Sequence, residues 1–300
     1  MTKRKNKKVT ANRNYKDTVF RKLFSDRRNL LSLYNAINGT AYTDETKLEI
    51  VTLENAIYMG MKNDLAFIID TNLFLYEHQS TYNPNMPLRD LFYISSEYQK
   101  LVDRKSLYSS ILLKLPAPNF IVFYNGKRKM PDRWTNCLSE SYDNQQGDPN
   151  LELKVVTINI NRDCNRKLME QCRILGEYAQ YVEKVRENAE TMSLDTAVKE
   201  AVDECIQKGI LADFLRVNRA EVIAMSIFEY DKEEEEQKLQ ATYEKIGEKR
   251  GIQIGEKLGE KRGELKKAKS IAISLAQEGE SIERIARILG ETEKTIKEWL

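Results

Sequence analysis

Two acidic residues and an amide lie close together in the sequence and have the types needed to bind a divalent cation. Asp64 stands just before an apolar run at residues 65–70, and Glu77 and Gln79 lie inside a second run at residues 73–80. Two such runs joined by a short polar pair are typical of a β-hairpin. The sequence therefore predicts two antiparallel strands that bring these side chains together.

The register of this hairpin follows from the position of its turn. With residues 71–72 as a two-residue loop, Ala66 is expected opposite Glu77. By the same register, Asp64 is expected opposite Gln79. Because side chains alternate between the two faces of a strand, these four residues are expected to share one face, with Asp64 and Glu77 as diagonal neighbours.

A pair of carboxylates at that separation predicts a site for Mg²⁺ or Mn²⁺. Two ionised acids repel each other, and a divalent cation between Asp64 and Glu77 removes the repulsion. The cation would orient a phosphate, lower the pKa of an attacking water and neutralise the charge that develops on the phosphate. Gln79 would hydrogen-bond the water or the phosphate. Phosphodiester hydrolysis is a reaction that needs this combination.

The remaining candidate residues favour structural roles. His78 is the single histidine and falls on the opposite face of its strand, so its ring is expected to pack. Catalysis of the Ser–His or Cys–His type would have to use that ring. Asp17, Lys22 and Glu54 could approach the metal face from the first helix or first strand, but an ordinary role as surface or helix-pairing charges is favoured. The four cysteines are dispersed without a CxxC pair, which argues against a structural zinc site.

The elements around the hairpin alternate between helix and strand. A helical spacing of apolar residues covers residues 15–37, and a strand-like run precedes the hairpin at residues 48–59. After a loop that contains two prolines, residues 88–101 are predicted to be helical, and residues 120–124 and 153–160 to be strands. The rest of the chain has mainly helical spacing. The expected architecture is an α/β core with a helical C-terminal extension.

The C-terminal region contains a short repeat. Glycines recur at every fourth position from Gly247 to Gly263, and each costs a helix about 1 kcal/mol relative to alanine. A semi-flexible helical linker is therefore favoured over a motif for close helix pairing. Further on, Ala286, Gly290 and Trp299 have the spacing of a helix-turn-helix. Its second helix carries glutamates beside lysines, which favours a hairpin for packing or partner contact over a DNA-reading helix.

Charge and hydropathy place further limits on the function. The net charge of the 300 residues is only +2, so electrostatic inferences depend on local clusters. Residues 1–13 hold six basic and no acidic side chains, and this arm either neutralises phosphates or serves as a solubilising tail. No run reaches the roughly 18 apolar residues of a membrane span, and no secretory signal is recognisable. A cytoplasmic protein without membrane contact is expected.

Several stretches of the chain are similar to one family of nucleases. They are residues 17–24 (DTVFRKLF), 62–67 (KNDLAF), 76–80 (YEHQS), 87–89 (PLR) with Tyr93, 118–126 (PNFIVFYNG) and the Gly-Glu-Lys repeat of the C-terminal region. On these motifs the chain resembles the recombination-promoting nuclease/transposase family of the PD-(D/E)XK nuclease superfamily. The resemblance covers most of the chain.

The resemblance implies a restriction-endonuclease-like αβββαβ core, in which Asp64 and Glu77 bind the metal and the backbone carbonyl of His78 is a further ligand. Two residues depart from the superfamily pattern, Asn63 at the place of a proline and Gln79 at the place of a lysine. The lost ammonium weakens the stabilisation of transition-state charge, and removal of one preorganised donor typically costs about 2.7–4 kcal/mol. A slow or conditionally active nuclease is expected.

Residues and resemblance together predict a Mg²⁺- or Mn²⁺-dependent DNA endonuclease of low sequence specificity. Asp64, Glu77 and Gln79 are its expected catalytic residues, and nearby lysines and arginines are expected to contact the DNA backbone. A link with recombination or mobile elements comes from the resemblance alone. The alternative is a catalytically weak or inactive nuclease scaffold that acts as a DNA-binding or protein-assembly module. A homo-oligomer formed through the C-terminal helices stays open.

The expected organisation of the chain has five parts, whose boundaries follow shifts in composition and periodicity. They are a basic disordered arm (1–14), a nuclease-like domain (15–190), a helical extension (191–240), a glycine-rich helical linker (241–266) and a helix-turn-helix-like hairpin (267–300).

Overall fold

The chain forms two compact units, one that ends at Glu235 and one that runs from Glu236 to Leu300. In the computed structural model the described residues are 18–51, 65–143 and 147–300, without the side chains of residues 231–236 and 240. The first unit holds a mixed β-sheet with helices, and the second is helical. The predicted α/β class and helical C-terminal region are confirmed.

The described strands form one sheet in the order β1-β2-β3-β4-β6-β5. They are β1 (Leu48–Ile50), β2 (Leu65–Ile69), β3 (Asn72–Gln79), β4 (Ala117–Tyr124), β5 (Arg133–Cys137) and β6 (Lys154–Asn159). Strands β1, β2 and β3 pair antiparallel, β4 runs parallel to β3, β6 runs parallel to β4, and β5 is antiparallel to β6. Strand β5 is not among the predicted strands, because its sequence RWTNC lacks apolar alternation.

The helices of the first unit are α1 (Val19–Phe24), α2 (Arg27–Asn38), α3 (Met86–Leu101), α4 (Arg166–Gln171), α5 (Arg173–Ala189), α6 (Leu194–Lys208) and the start of α7 (Ala212–Gln277). The single helix predicted over residues 15–37 is wrong, because the structure breaks it after Phe24. The carboxylate of Asp26 accepts hydrogen bonds from the backbone N–H groups of Arg28 and Asn29, and so caps a new helix.

The hairpin of β2 and β3 has a register two residues away from the predicted one. Ala66 lies opposite Leu75 rather than Glu77. The turn moves accordingly to Asp70-Thr71, and Asp70 has a left-handed φ of 52°, which aspartate tolerates better than most residues. The predicted loop at residues 71–72 is therefore displaced by one residue, because apolar alternation does not reveal the left-handed conformation of Asp70.

The shift leaves the faces of the hairpin unchanged, because two residues are one full period of side-chain alternation. Leu75 packs in an apolar cluster with α3, on the face that carries Glu77 and Gln79. Phe74 packs in a larger cluster with α1, α2 and α5, on the face of His78. Strand β3 therefore carries the polar side chains Glu77 and Gln79 on the face covered by α3, and aromatic side chains on the opposite face.

Helix α3 connects the parallel strands β3 and β4, which cannot be joined by a tight turn. Its side chains that face the sheet include Asp90, Tyr93, Ile94 and Glu97, spaced by three or four residues as on one helical face. The first turn of α3 lies next to the end of β3. This placement brings the start of α3 to the predicted site.

Helices α5, α6 and the start of α7 complete the larger core of the first unit. Their buried apolar side chains join the cluster that covers the sheet, among them Tyr178, Val202 and Leu215. Lys22 of α1 forms an ion pair with Glu221 of α7, with 2.5 Å between Nζ and Oε2. Lys22 thus has the helix-pairing role expected of it, whereas Asp17 and Glu54 lie outside the described residues.

The second unit contains the later part of α7 with α8 (Ile282–Leu289) and α9 (Glu293–Trp299). Ala272, Ile285 and Ile296 form a small buried cluster that joins these helices. Gly290 has a left-handed φ of 69° and ends α8, which permits the tight turn into α9. No helix in the described part of the chain combines the length and apolar character of a membrane span.

Replacing Gly126 or Gly259 by alanine is expected to change the free energy of unfolding in opposite directions. A Cβ atom at Gly126 would collide with the backbone oxygen of Ser80 and the ring of Tyr124. We expect Gly126→Ala to lower the free energy of unfolding by about 1–3 kcal/mol, as overpacking does. Gly259→Ala adds a methyl group into open space on α7 and should keep stability equal or raise it by up to about 1 kcal/mol. Denaturant unfolding measures both, and equal effects would contradict the close packing at Gly126.

Candidate functional site

Glu77 is a buried carboxylate near the end of β3. It lies on the same face of the sheet as Leu75, and only 3% of its surface is exposed. Burial of an ionised carboxylate is strongly unfavourable unless the group is paired and hydrogen-bonded. The surroundings of Glu77 must therefore supply polar partners.

Gln79 and Arg89 are two of these partners. Nε2 of Gln79 donates to Oε1 of Glu77 at 2.5 Å, and Nη2 of Arg89 donates to the same oxygen at 2.7 Å. Gln79 lies two residues further along the strand and therefore on the same face. Arg89 comes from the first turn of α3. The predicted placement of Glu77 and Gln79 on one face is confirmed, and the contact with Arg89 is an addition to the predicted site.

The charge of Glu77 shifts the ionisation of its neighbours. Burial opposes the charge of Arg89, but the attraction of Glu77 prevails and raises the pKa of the guanidinium above its ordinary value. Burial, and after it the charge of Glu77, raises the pKa of Tyr93 to about 12. The same two causes raise the pKa of Asp90 well above the usual range of a carboxyl group. Arg89 thus keeps its positive charge, while Asp90 is biased towards its neutral form.

His78 has its ring in the aromatic layer on the opposite face. The ring stacks on Phe20 of α1 with centroids 5.4 Å apart, and the hydroxyl of Tyr178 lies 3.2 Å from Nε2. The packing role predicted for this ring is confirmed. The backbone oxygen of Gln79 accepts a hydrogen bond from Asn125 after β4. Because carbonyl groups alternate in direction along a strand, the oxygen of His78 points to the other side of β3, where β2 pairs.

The predicted metal ligands are described only in part. Asp64 lies outside the described residues; in the chain it directly precedes Leu65, which pairs with Tyr76, the residue before Glu77. Within the described ranges, no group of three or more Asp, Glu, His or Cys side chains is arranged to hold a metal ion. The carboxylate of Glu77 and the amide oxygen of Gln79 are hard donors of the kind that Mg²⁺ and Mn²⁺ prefer. These donors fit one side of a divalent-cation site, which a further acid must complete.

A basic loop continues from the end of β4. Gly126 packs against the backbone oxygen of Ser80, the residue after Gln79. The three exposed residues that follow, 127–129, are Lys, Arg and Lys. The central arginine of this loop lies over the ring of Tyr82, 5.3 Å from its centroid. The end of β3 therefore has exposed positive charge close to the buried acid.

Two features of the site are missing from the sequence-based prediction. Arg89 and Tyr93 belong to one of the recognised motifs, but that motif does not show that an arginine 12 residues after Glu77 folds back onto it. The basic run at residues 127–129 is visible in the sequence as a charge cluster after a strand. Its position beside β3 becomes evident from the packing of Gly126.

The Glu77–Arg89 contact predicts non-additive effects on stability. Glu77→Gln leaves a guanidinium, whose side chain is 19% exposed, without its counter-charge, and we expect the free energy of unfolding to fall by about 3 kcal/mol. Adding Arg89→Met should recover at least half of that loss, because replacing both members of a buried pair is often near neutral. Urea unfolding of the wild type, the two single variants and the double variant gives the coupling energy. Additive losses would show that the two side chains act independently.

Comparison of the chain with protein-family models, with curated proteins and with solved structures gives no match. Inference about function therefore depends on the residues of the site and on their contacts. The buried acid, its amide and guanidinium partners and the adjacent basic loop form the candidate site of this fold.

Proposed function

We propose that the protein is a Mg²⁺- or Mn²⁺-dependent DNA endonuclease with a restriction-endonuclease-like core. Asp64 and Glu77 are the proposed metal ligands, and Gln79 positions the attacking water or the phosphate. The observation that supports this proposal is the buried carboxylate of Glu77, which holds Gln79 and Arg89 on one oxygen. A buried acid with amide and cationic neighbours, in a chain with a β-β-β-α-β order, suits phosphodiester hydrolysis.

The side chains have separate tasks in this reaction. Asp64, Glu77 and the backbone oxygen of His78 would hold the cation, which when bound supplies a Lewis acid and lowers the pKa of a nearby water. Gln79 donates through Nε2 to Glu77, which directs its amide group to the reacting phosphate and water. Water adds to phosphorus, the bond to the leaving oxygen breaks, and the proton of the water passes through solvent to that oxygen.

Basic side chains would hold the DNA through its phosphates. The exposed loop at residues 127–129 carries three positive charges. The arm at residues 1–13, which lies outside the described residues, carries six more. Phosphate contacts carry no sequence information, so low sequence specificity is part of the proposal.

The proposal also includes a cytoplasmic location, an association with recombination or mobile elements, and a homo-oligomer formed through the C-terminal helices.

A second candidate function is a protein-assembly module built on an inactive nuclease scaffold. A groove of about 890 Å³ lies between the end of α3 and the starts of β4 and β6, lined by residues that include Ile94, Tyr98 and Phe120. Leu107 and Tyr108 line the same groove, and Tyr108 is 92% exposed. Exposed apolar surface of this kind is typical of protein contact sites. The groove therefore supports a function in binding another protein and does not indicate a chemical reaction.

Nicking of supercoiled plasmid separates the two functions. We expect the wild type to nick with Mg²⁺ or Mn²⁺ and to stop when EDTA is added. Asp64→Ala and Glu77→Gln should each slow nicking by at least about 100-fold, because each removes charge from the reacting centre. Asp195→Ala removes an exposed acid from α6 and should nick like the wild type. Equal nicking by all four proteins would contradict the assigned site, whereas a wild type that does not nick with either metal ion would contradict the nuclease and favour the assembly module.

The salt dependence of DNA binding tests the basic loop. Replacing residues 127–129 by alanine removes three charges, and the slope of log affinity against log salt should fall by up to about 2.7, or about 0.9 for each phosphate contact. Fluorescence anisotropy with duplex DNA in EDTA measures the slope without cleavage. Replacing Lys249, Lys257 and Lys261 on α7 removes the same charge from exposed positions and should leave the slope unchanged. Equal changes in both variants would assign binding to overall charge instead of the loop.

A further inference from the structure

We infer that Arg89 is a catalytic residue that contacts the scissile phosphate and supplies the positive charge that Gln79 lacks. The inference rests on the proposed function and names the group that recognises the phosphate anion at the same site. Arg89 would also oppose metal binding, because a cation held by Glu77 would lie close to the guanidinium that contacts the same carboxylate.

Some of the N–H donors of the Arg89 guanidinium have no strong hydrogen-bond acceptor in the described part of the chain. Nη2 donates to Glu77 at 2.7 Å and lies 3.4 Å from the hydroxyl of Tyr93, while Nη1 has the weakly accepting sulfur of Met86 at 3.4 Å. Nε is buried and has no hydrogen-bond acceptor among the described residues. A guanidinium presents five N–H donors in a planar fork that matches two oxygens of a phosphate. Two of the three nitrogens therefore lack a strong acceptor within the described residues.

The position of this cation is suited to the proposed reaction. Arg89 and Gln79 meet at one oxygen of Glu77, so the guanidinium lies where the amide contacts the proposed metal ligand. The Arg89 side chain is 19% exposed, which leaves it within reach of a ligand. Arg89 is the fourth residue of α3, and the N-terminal end of this 16-residue helix adds partial positive charge. A phosphodiester bound there would meet two sources of positive potential from the protein.

The contact with Glu77 predicts opposite effects on catalysis and on metal binding. A guanidinium on this carboxylate repels a divalent cation bound to the same group, and such repulsion is strong in a partly buried site. Removal of Arg89 should therefore tighten metal binding while it slows hydrolysis. If Arg89 only holds Glu77 in place, its removal should weaken metal binding and hydrolysis together.

Helix α3 also contains a matched control. Lys100 forms an ion pair with the buried Glu97, with 2.6 Å between Nζ and Oε1. Lys100→Ala thus removes a cation from a buried glutamate on the same helix and does not touch Glu77. It reports the general effect of such a change on the fold.

Plasmid nicking and the response of the melting temperature to Mn²⁺ test the inference. We expect Arg89→Ala to nick about 100-fold more slowly, and its melting temperature to respond at about tenfold lower Mn²⁺. Arg89→Lys keeps a cation and should keep part of the rate. Adding Gln79→Lys to Arg89→Ala should recover about tenfold or more, because it returns positive charge to the same oxygen of Glu77. Lys100→Ala should match the wild type in both measurements.

Three results would overturn the inference. One is wild-type nicking by Arg89→Ala. Another is slow nicking with a weaker Mn²⁺ response and no recovery by Gln79→Lys, which is the pattern of a structural role. The third is a wild type that neither nicks nor shows a Glu77-dependent Mn²⁺ response, in which case the proposed function fails as well. A wild type that nicks, and loses nicking in Asp64→Ala, keeps the proposed function whatever the Arg89 variants do.

Discussion

The carboxylate of Glu77 is removed from water at the end of β3, and the elements around it are arranged to stabilise its charge. Gln79 can contact it because the two residues share one face of the strand, and Arg89 can contact it because α3 starts directly above that face. The contact with Arg89 in turn requires that α3 return over the sheet between two parallel strands. The order of the strands and the position of the crossover helix thus both serve to give the buried carboxylate of Glu77 its polar partners.

A pair of this kind is a poor choice for stability alone. The loss of hydration of two buried charges offsets much of their attraction, and apolar side chains of similar volume often stabilise a core as well or better. The face of β3 beneath α3 is otherwise apolar, with Leu73 and Leu75 packed against Tyr93 and Ile94. Along this face of β3 the charged and amide side chains, Glu77 and Gln79, lie at the end of the strand. This is the pattern expected where a site has been built into a core at some cost in stability.

The two units differ in how their helices are stabilised. In the first unit, α5, α6 and the start of α7 bury apolar side chains against the aromatic layer that includes Phe20 and the ring of His78. In the second unit, α8 and α9 pack on the end of α7 through a small cluster of their own. A Cβ atom added at any glycine of the repeat would meet no other described atom within 4 Å beyond its own helix. These glycines therefore lower the intrinsic stability of α7, and no close contact with another element compensates for this among the described residues.

Short-range pattern in the sequence was sufficient for the class of fold and for the faces of β3. Glu77 and Gln79 were placed together and His78 opposite them, and this held although the register was wrong by two residues, because faces depend only on parity. The position of the hairpin turn depends on the backbone conformation of Asp70. The break between α1 and α2 depends on the helix cap formed by Asp26. Apolar periodicity does not encode either.

Long-range packing accounts for the rest of the site. The contact between Arg89 and Glu77, and the position of the basic loop beside Ser80, join residues that are distant in the chain and close in the fold. Such contacts depend on how α3 and the β4 loop pack against the sheet, which side-chain spacing does not specify. That Asp64 joins Glu77 in binding a metal ion remains a prediction of the sequence, since Asp64 lies outside the described residues. The sequence pattern thus indicated which side chains share a face of β3. The packing of α3 against the sheet determined that the guanidinium of Arg89 contacts the buried carboxylate of Glu77.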